Sequence, residues 1–401
     1  MNAFHTASEE DIKKGKTTDV YFKNTMKILE SKGIAYQHVA AEFTTTSLPE
    51  NGEWGVFVGL EDIISLLEGK PLDLYAVPEG TLFKPRDHQG VLTPVMFIQG
   101  PYGEFCVYET PLLGFICHPS GIATKAARVK KCAGDAEIMS FGIRRMHPVI
   151  APSIDRAAYI GGCDAISCIA GAEEVNVEPT GTMPHALTIL FGSPKDAFQA
   201  FHEVLPENVP RIALVDTYHD ETLETFMAHE AMEDKLYGVR LDTPSSRRGD
   251  LIKIVQEVKW EMKVRGIDAR IIASGGMDEY SIPKLKKAGV DAFGVGTSVS
   301  NARTINFAMD IIEKEGEPVA KRGKFSGKKK VFRCPDCLNY HNLAWDTQGV
   351  PECGCGSEME PILKRYLKNG SRTEDMLNEK TIRKNVLEQL EKVEINWIHE
   401  E

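Results

Sequence analysis

The chain has 401 residues, enough for about two or three domains and a large buried core, and its 42% hydrophobic and 26% charged content is ordinary for a soluble globular protein. A net charge of −11 argues against a general nucleic-acid binder, because phosphate backbones repel an acidic surface, yet it allows a local basic pocket for a small anion. No apolar run reaches membrane-span length and the polar opening MNAFHTASEEDIKKGKTTDVYF lacks a signal-peptide core, so a cytoplasmic protein with no membrane partner is expected.

Residues 1–115 read as an N-terminal α/β sandwich domain. TTDVYFKNTMKILESKG predicts a helix ended by Gly33. GEWGVFVGL, PLDLYAVPEGTLF and VLTPVMFIQG predict short strands, with the helix LEDIISLLEG among them. Over residues 116–305 strands and helices alternate. TKAARVKKCAG and PSIDRAAYIGGCDAISCIAG have helical spacing, and RIALVDTY, GVRLDT, ARIIASGG and DAFGVGTS are short apolar runs between further helices. Such runs imply parallel strands buried on both faces, and their repetition predicts a TIM-like β/α barrel, complete or incomplete. Residues 306–330, with the basic GEPVAKRGKFSGKKK, read as a solvated linker or arm. Residues 331–370 form a small cysteine-bearing module, and 371–401 predict a helix packed on another domain.

The strand ends carry the functional argument. They read VNVEPTGTMPH, ALVDTYHD, VRLDTPSSRR, IIASGGMD and AFGVGTS. A purely structural barrel has no need of His185, Asp216, Asp242 and Ser274 at equivalent rim positions, and the C-terminal rim is where barrel enzymes place their chemistry. Ser274, Gly275, Gly276, Gly296, Thr297 and Ser298 are candidate phosphate donors, since glycine lets backbone N–H groups approach an anion; the plain alternative is two tight turns. Asp216 and Asp242 suit Mg²⁺ or ribose hydroxyls, or simply a turn or cap. Arg144 and Arg145 beside Phe141 suit an anion next to a flat ring, or a surface pair beside a core aromatic. His185, in GTMPHAL, is open to three readings: a packed core residue, a metal ligand, or a group that exchanges protons or phosphate.

Of nine cysteines, five (Cys106, Cys117, Cys132, Cys163, Cys168) read as buried thiols. The other four, in CPDC (Cys334, Cys337) and CGC (Cys353, Cys355), fit a tetrahedral thiolate zinc site. A closed four-thiolate site has no open coordination position, so the expected Zn²⁺ is structural. Four unligated thiols are the alternative.

TTDVYF, ETPLLG, FGIRR, GTMPHA, VDTY, VRLDT, SGGMD and FGVGTS, in this order, resemble the nicotinate phosphoribosyltransferases of the type II phosphoribosyltransferase family over residues 17–305. The cysteine module resembles the tail of archaeal members. The resemblance implies transfer of phosphoribose from phosphoribosyl pyrophosphate to nicotinate, often coupled to ATP hydrolysis. It implies that Phe141 stacks on the pyridine ring and that Tyr21 reaches the other face from a neighbouring subunit, making a homodimer with shared active sites. Arg144 and Arg240 would hold anionic groups, with Thr182 among the substrate contacts. Asp216 and Asp242 would sit near the ring nitrogen, ribose or Mg²⁺, and the glycine loops would take the 5′-phosphate. His185 matches the histidine phosphorylated from ATP, a role that suits a neutral, nucleophilic imidazole.

Many members carry a DSGD-like run after the strand bearing Asp242. Here it reads LDTPSSRRGD, with Arg247 and Arg248 inserted, which leaves Asp250 open and offers either pyrophosphate or ATP contacts or a solvated basic loop. Nicotinamide and quinolinate phosphoribosyltransferases are the nearest alternatives. The nicotinamide enzymes place an acidic residue where Ser167 aligns, so a neutral Ser167 favours nicotinate. A zinc-ribbon nucleic-acid-binding protein, built on the cysteines and GKKK, is the alternative of another class; the acidic total and the elaborate rim argue against it.

Overall fold

A computed structural model of the chain describes residues 4–395 apart from 245, 247 and 248. The chain forms two compact units, one from the segments before residue 125 and after residue 302, the other from 125–302.

The first unit is built on a seven-stranded antiparallel sheet. Its order is Glu317–Pro318, Ala308–Lys314, His38–Thr44, Met96–Pro101, Asp73–Ala76, Lys364–Lys368, Ser371–Arg372. Phe43, Leu74, Met96 and Ile98 from the sheet pack with Leu60, Ile63, Ile64 and Leu67 of the helix Leu60–Leu67 to form its core. The expected helix after Thr17 spans Val20–Ser31.

Two stretches fold differently from the expectation. The stretch 306–330 is not a solvated linker. Ala308–Lys314 pairs with His38–Thr44 and adds the buried Met309 and Ile312 to the unit. The basic residues after this strand are tied down: Lys324 lies 3.0 Å from Asp310, and Lys329 forms a buried ion pair with Glu42 at 2.8 Å. Buried lysines need such partners, which is why the run is folded despite its charge. Nor does 331–370 stand apart, because Lys364–Lys368 pairs with Asp73–Ala76. The C-terminal helix spans Glu379–Leu390, burying Ile382, Val386 and Leu390.

The second unit holds a six-stranded parallel sheet in the order Ala165–Ile166, Glu137–Ser140, Ala292–Val295, Arg270–Ser274, Leu236–Leu241, Arg211–Leu214. The edge strands Ala165–Ile166 and Arg211–Leu214 do not pair with each other, so the sheet curls into a half-barrel rather than a closed β/α barrel. Two readings fail together. Ala165–Ile166 is a strand inside a stretch read as helix, and 175–184, read as a strand end, is irregular up to the helix His185–Phe191. Pro179, Gly181 and Pro184 explain the second point, since proline cannot donate to a ladder and glycine weakens one. The long helix Glu109–Ala133 takes in the expected TKAARVKKCAG helix as far as Ala133. Among the described residues no helix is long and apolar enough to cross a membrane.

Candidate active site

The polar residues of the second unit converge at the C-terminal ends of its strands. Arg240, in Leu236–Leu241, is the hub. Its Nε donates to Ser274 Oγ at 2.9 Å, one terminal nitrogen to Thr182 Oγ1 at 2.5 Å, and the other to Asp242 Oδ2 at 2.8 Å. Ser274 in turn donates to Asp242 Oδ1 at 2.8 Å. One planar guanidinium thus fixes a buried serine, a carboxylate and a threonine of the irregular segment, a division of labour that suits its rigid fork of donors.

The guanidinium carbon lies 5.5 Å from the centre of the Phe141 ring. Phe141 comes directly after Glu137–Ser140 and packs on Met139, Ile212, Ile272 and Ala292. It lies against Gly294, where a Cβ would come within 2.6 Å of Cδ2 of the ring. The sequence reading missed Gly294. The signal was present in FGVG, where the first glycine interrupts an apolar strand, as glycine does where another group approaches the backbone.

His185 is the first residue of its helix, with its side chain 38% exposed, so the packed-core reading fails. Its Nδ1 is 3.1 Å from Thr217 Oγ1, while Nε2 lies 3.8 Å from Asp216 Oδ1 and 3.9 Å from Asp242 Oδ2. Thr217 fixes the ring from one nitrogen and leaves Nε2 facing two carboxylates. Asp216 is held by the Asp242 N–H at 2.6 Å and the Thr243 hydroxyl at 2.7 Å. Burial pushes its carboxyl above the ordinary range, against the pull of those two donors. Its Oδ1 is buried and has no hydrogen-bond partner among the described residues.

Ser274 and Gly294 are register partners, so the two glycine loops leave neighbouring strands. Gly275 and Gly276 are exposed with φ of +84° and +79°, successive left-handed conformations that favour glycine. Gly296 leads into the turn Thr297–Ser300, where the Ser298 hydroxyl is buried without a hydrogen-bond partner among the described residues. Exposed backbone beside a spare hydroxyl donor fits an anion.

Ser167 is half-buried just after Ala165–Ile166. Arg144 stands exposed in the turn Ile143–Arg145, outside the hydrogen-bonded cluster. Tyr21, in the other unit, is 57% exposed on Val20–Ser31, beside Phe22 at 4.2 Å. Arg247 and Arg248 lie outside the described residues, and Asp250 caps the helix Leu251–Arg265 through Ile252 N–H at 3.0 Å. A further residue missed in the sequence is Glu224, fully buried, which accepts from the N–H groups of Thr217, Tyr218 and His219 at 3.0, 2.7 and 2.9 Å. It braces the loop that carries Asp216 and Thr217.

In the first unit Cys334, Cys337, Cys353 and Cys355 come together with all four sulfurs within 4.8 Å of one another. The closest separations are 3.5, 3.5 and 3.7 Å. Four thiolates at ~2.3 Å from a tetrahedral zinc would stand about 3.8 Å apart, so the cluster fits that ion.

Residues 19–120 match the N-terminal domain, and 122–310 the C-terminal domain, of the quinolinate phosphoribosyl transferase family. A solved structure described as nicotinate-nucleotide pyrophosphorylase from Pyrococcus furiosus is 50% identical, with a TM-score of 0.94 over 98% of this chain and 100% of that one. Human nicotinic acid phosphoribosyltransferase shares the fold at a TM-score of 0.75 and 19% identity, over 95% of each chain. Among curated relatives, a nicotinate phosphoribosyltransferase of Mycobacterium tuberculosis is 33% identical over 65% of this chain and 59% of its own length. That of Bacillus subtilis is 29% identical over 81% and 74%. The chain therefore spans about three-fifths to three-quarters of the length of these curated relatives.

Proposed function

Because this chain belongs to the type II phosphoribosyltransferase family, and within it with the nicotinate phosphoribosyltransferases, we propose that it joins nicotinate to phosphoribosyl pyrophosphate, giving nicotinate mononucleotide and pyrophosphate. The observation that carries this reading is the Arg240 fork, which sets Thr182, Ser274 and Asp242 around the approach to the Phe141 ring.

In this reading the pyridine ring stacks on Phe141 with Ser167 at the neighbouring strand end, and Tyr21 of a second copy covers the other face in a homodimer. Arg144, exposed beside Phe141, is free to meet an anionic substrate group. The two glycine loops receive the 5′-phosphate through Ser274, Gly275, Gly276, Gly296, Thr297 and Ser298. Catalysis is then positional and electrostatic: the ring nitrogen is held against the ribose carbon while charge grows on the departing pyrophosphate. Mg²⁺, which takes one or two carboxylates together with substrate phosphates, fits the spare Asp216 Oδ1 and would neutralise that leaving group. ATP coupling runs through His185: the Nε2 lone pair takes the γ-phosphoryl group, ADP leaves, and the flanking carboxylates stabilise the imidazolium. Zn²⁺ on the four cysteines is structural.

Turnover of nicotinate with phosphoribosyl pyrophosphate, with and without ATP, tests the reading. Nicotinate mononucleotide should form, faster with ATP, and His185→Ala should lose ATP hydrolysis and stimulation but keep basal transfer. A second reading, quinolinate as the base, is favoured by the names of the matching domains. Its second carboxylate would need a further cation beside Phe141, for which Arg145, exposed in the same turn as Arg144, is the candidate, because Arg240 is already engaged by Asp242.

A further inference from the structure

Asp155 lies outside every group invoked so far, yet it is fully buried and both its carboxylate oxygens are engaged. It projects from the helix Ala151–Ile160. Ser140 Oγ donates to Oδ1 at 2.9 Å, and the Cys168 N–H donates to Oδ2 at 3.0 Å. Burial raises its carboxyl above the ordinary range while these donors oppose the shift. Ser140 immediately precedes Phe141, and Cys168 comes immediately after Ser167. The two segments are neighbours in the sheet, with Met139 opposite Ala165 and Ser140 opposite Ile166. Phe141 and Ser167 therefore leave adjacent strand ends, and one carboxylate from a third element bonds to a residue next to each. Gly171 makes room for it: a Cβ there would come within 2.8 Å of Asp155 Cβ.

The strand Ala165–Ile166 is two residues long, so its ladder gives Ser167 little support. Asp155 instead anchors the chain just past this strand, through the Cys168 N–H. We propose that Asp155 is a positioning residue for the base pocket, a single buried carboxylate that sets the ring platform of Phe141 and the specificity position Ser167 at a fixed separation. This rests on the reading that the pair receives the pyridine base. A buried carboxylate that accepts two hydrogen bonds transmits displacement well, because losing either bond leaves a desolvated polar group unsatisfied.

The test uses the full-length protein and the variants Asp155→Ala, Asp155→Asn and Ser140→Ala. Asp155→Ala removes both acceptors and should raise KM for nicotinate by about tenfold or more, the factor that ~1.4 kcal/mol represents, while KM for phosphoribosyl pyrophosphate stays within about twofold. Asp155→Asn should rescue most of the loss, since the amide oxygen can accept from Cys168 N–H and the amide nitrogen can donate to Ser140 Oγ. If Asp155→Ala does not fold, Ser140→Ala removes one arm alone and should raise the nicotinate KM selectively by a smaller factor. Amide hydrogen exchange at Cys168 supplies a readout independent of activity, and should quicken in Asp155→Ala relative to the remaining amides of the unit. Wild type that fails to turn over nicotinate would sink the functional reading, while Cys168 exchange would still decide the role of Asp155. Unchanged exchange, an equal rise of both KM values, or an Asn variant as impaired as the Ala variant would overturn the proposal.

Discussion

Arg240→Lys isolates what the planar fork contributes. The arginine side chain is 16% exposed and makes three hydrogen bonds, to Ser274, Thr182 and Asp242. A lysine ammonium is a point donor on a flexible stem and cannot reach three acceptors spread along a guanidinium edge. It should keep the Asp242 contact, which is the ionic one, and release Ser274 and Thr182. Two lost hydrogen bonds from a charged donor, each worth ~1.5 kcal/mol, amount to about 3 kcal/mol. If the arrangement is needed in the transition state, kcat/KM for nicotinate should fall on the order of a hundredfold. Release of Thr182 also frees the irregular segment leading to His185, so ATP stimulation should weaken in parallel. Steady-state kinetics with each substrate varied, beside a thermal melt to show that the variant is folded, make the comparison. A folded variant whose kcat/KM stays within about threefold of wild type would refute the claim that the fork organises the site.

Gly294→Ala places a methyl group 2.6 Å from Phe141, so the ring must move; nicotinate KM should rise while the zinc content is unchanged. Burial pushes the Glu109 carboxyl from 4.5 up to about 7, with Asp310 adding to the shift and Lys321 opposing it. The folded state then holds this proton more tightly than the unfolded chain, so the associated stability is complete below pH 4.5 and is lost as the pH rises through about 7. Glu109→Gln, neutral throughout, should match wild type under acidic conditions and be the more stable above that window, as read from melting curves across the pH range. The four cysteines should carry one Zn²⁺ per chain, measured on protein purified without added metal. Cys353→Ser should lose it and lower the melting temperature; metal-free wild type with all four thiols freely titratable would contradict the assignment.

The gathering of polar residues was more legible in the sequence than the architecture. His185, Asp216, Asp242 and Ser274 stood out because polar residues ending apolar strands have no packing reason to recur, and the structure gathers them around Arg240. Closure of the sheet was not legible, because it depends on pairing between strands distant in sequence. Ala165–Ile166 is too short for periodicity to register, and Pro179 and Pro184 mark the irregular stretch only once a ladder partner is sought. Ala308–Lys314 was hidden by the basic run after it, whose charge reads as solvated until Glu42 and Asp310 are seen to receive the lysines. Glu224 and Asp155 were invisible for a related reason. Glu224 acts through the backbone N–H groups of Thr217, Tyr218 and His219, Asp155 through the Ser140 hydroxyl and the Cys168 N–H, and a lone acidic residue in a helical stretch carries no sign of either.

Base choice is decided by competition in one vessel: equal concentrations of nicotinate, nicotinamide and quinolinate, limiting phosphoribosyl pyrophosphate, Mg²⁺ and ATP, with products resolved by chromatography. Nicotinate should be consumed first and account for most of the mononucleotide, since a neutral Ser167 beside Phe141 repels no carboxylate. Preferential consumption of nicotinamide or quinolinate, or no mononucleotide at all, would contradict a nicotinate phosphoribosyltransferase built on Phe141, Ser167 and the Arg240 fork.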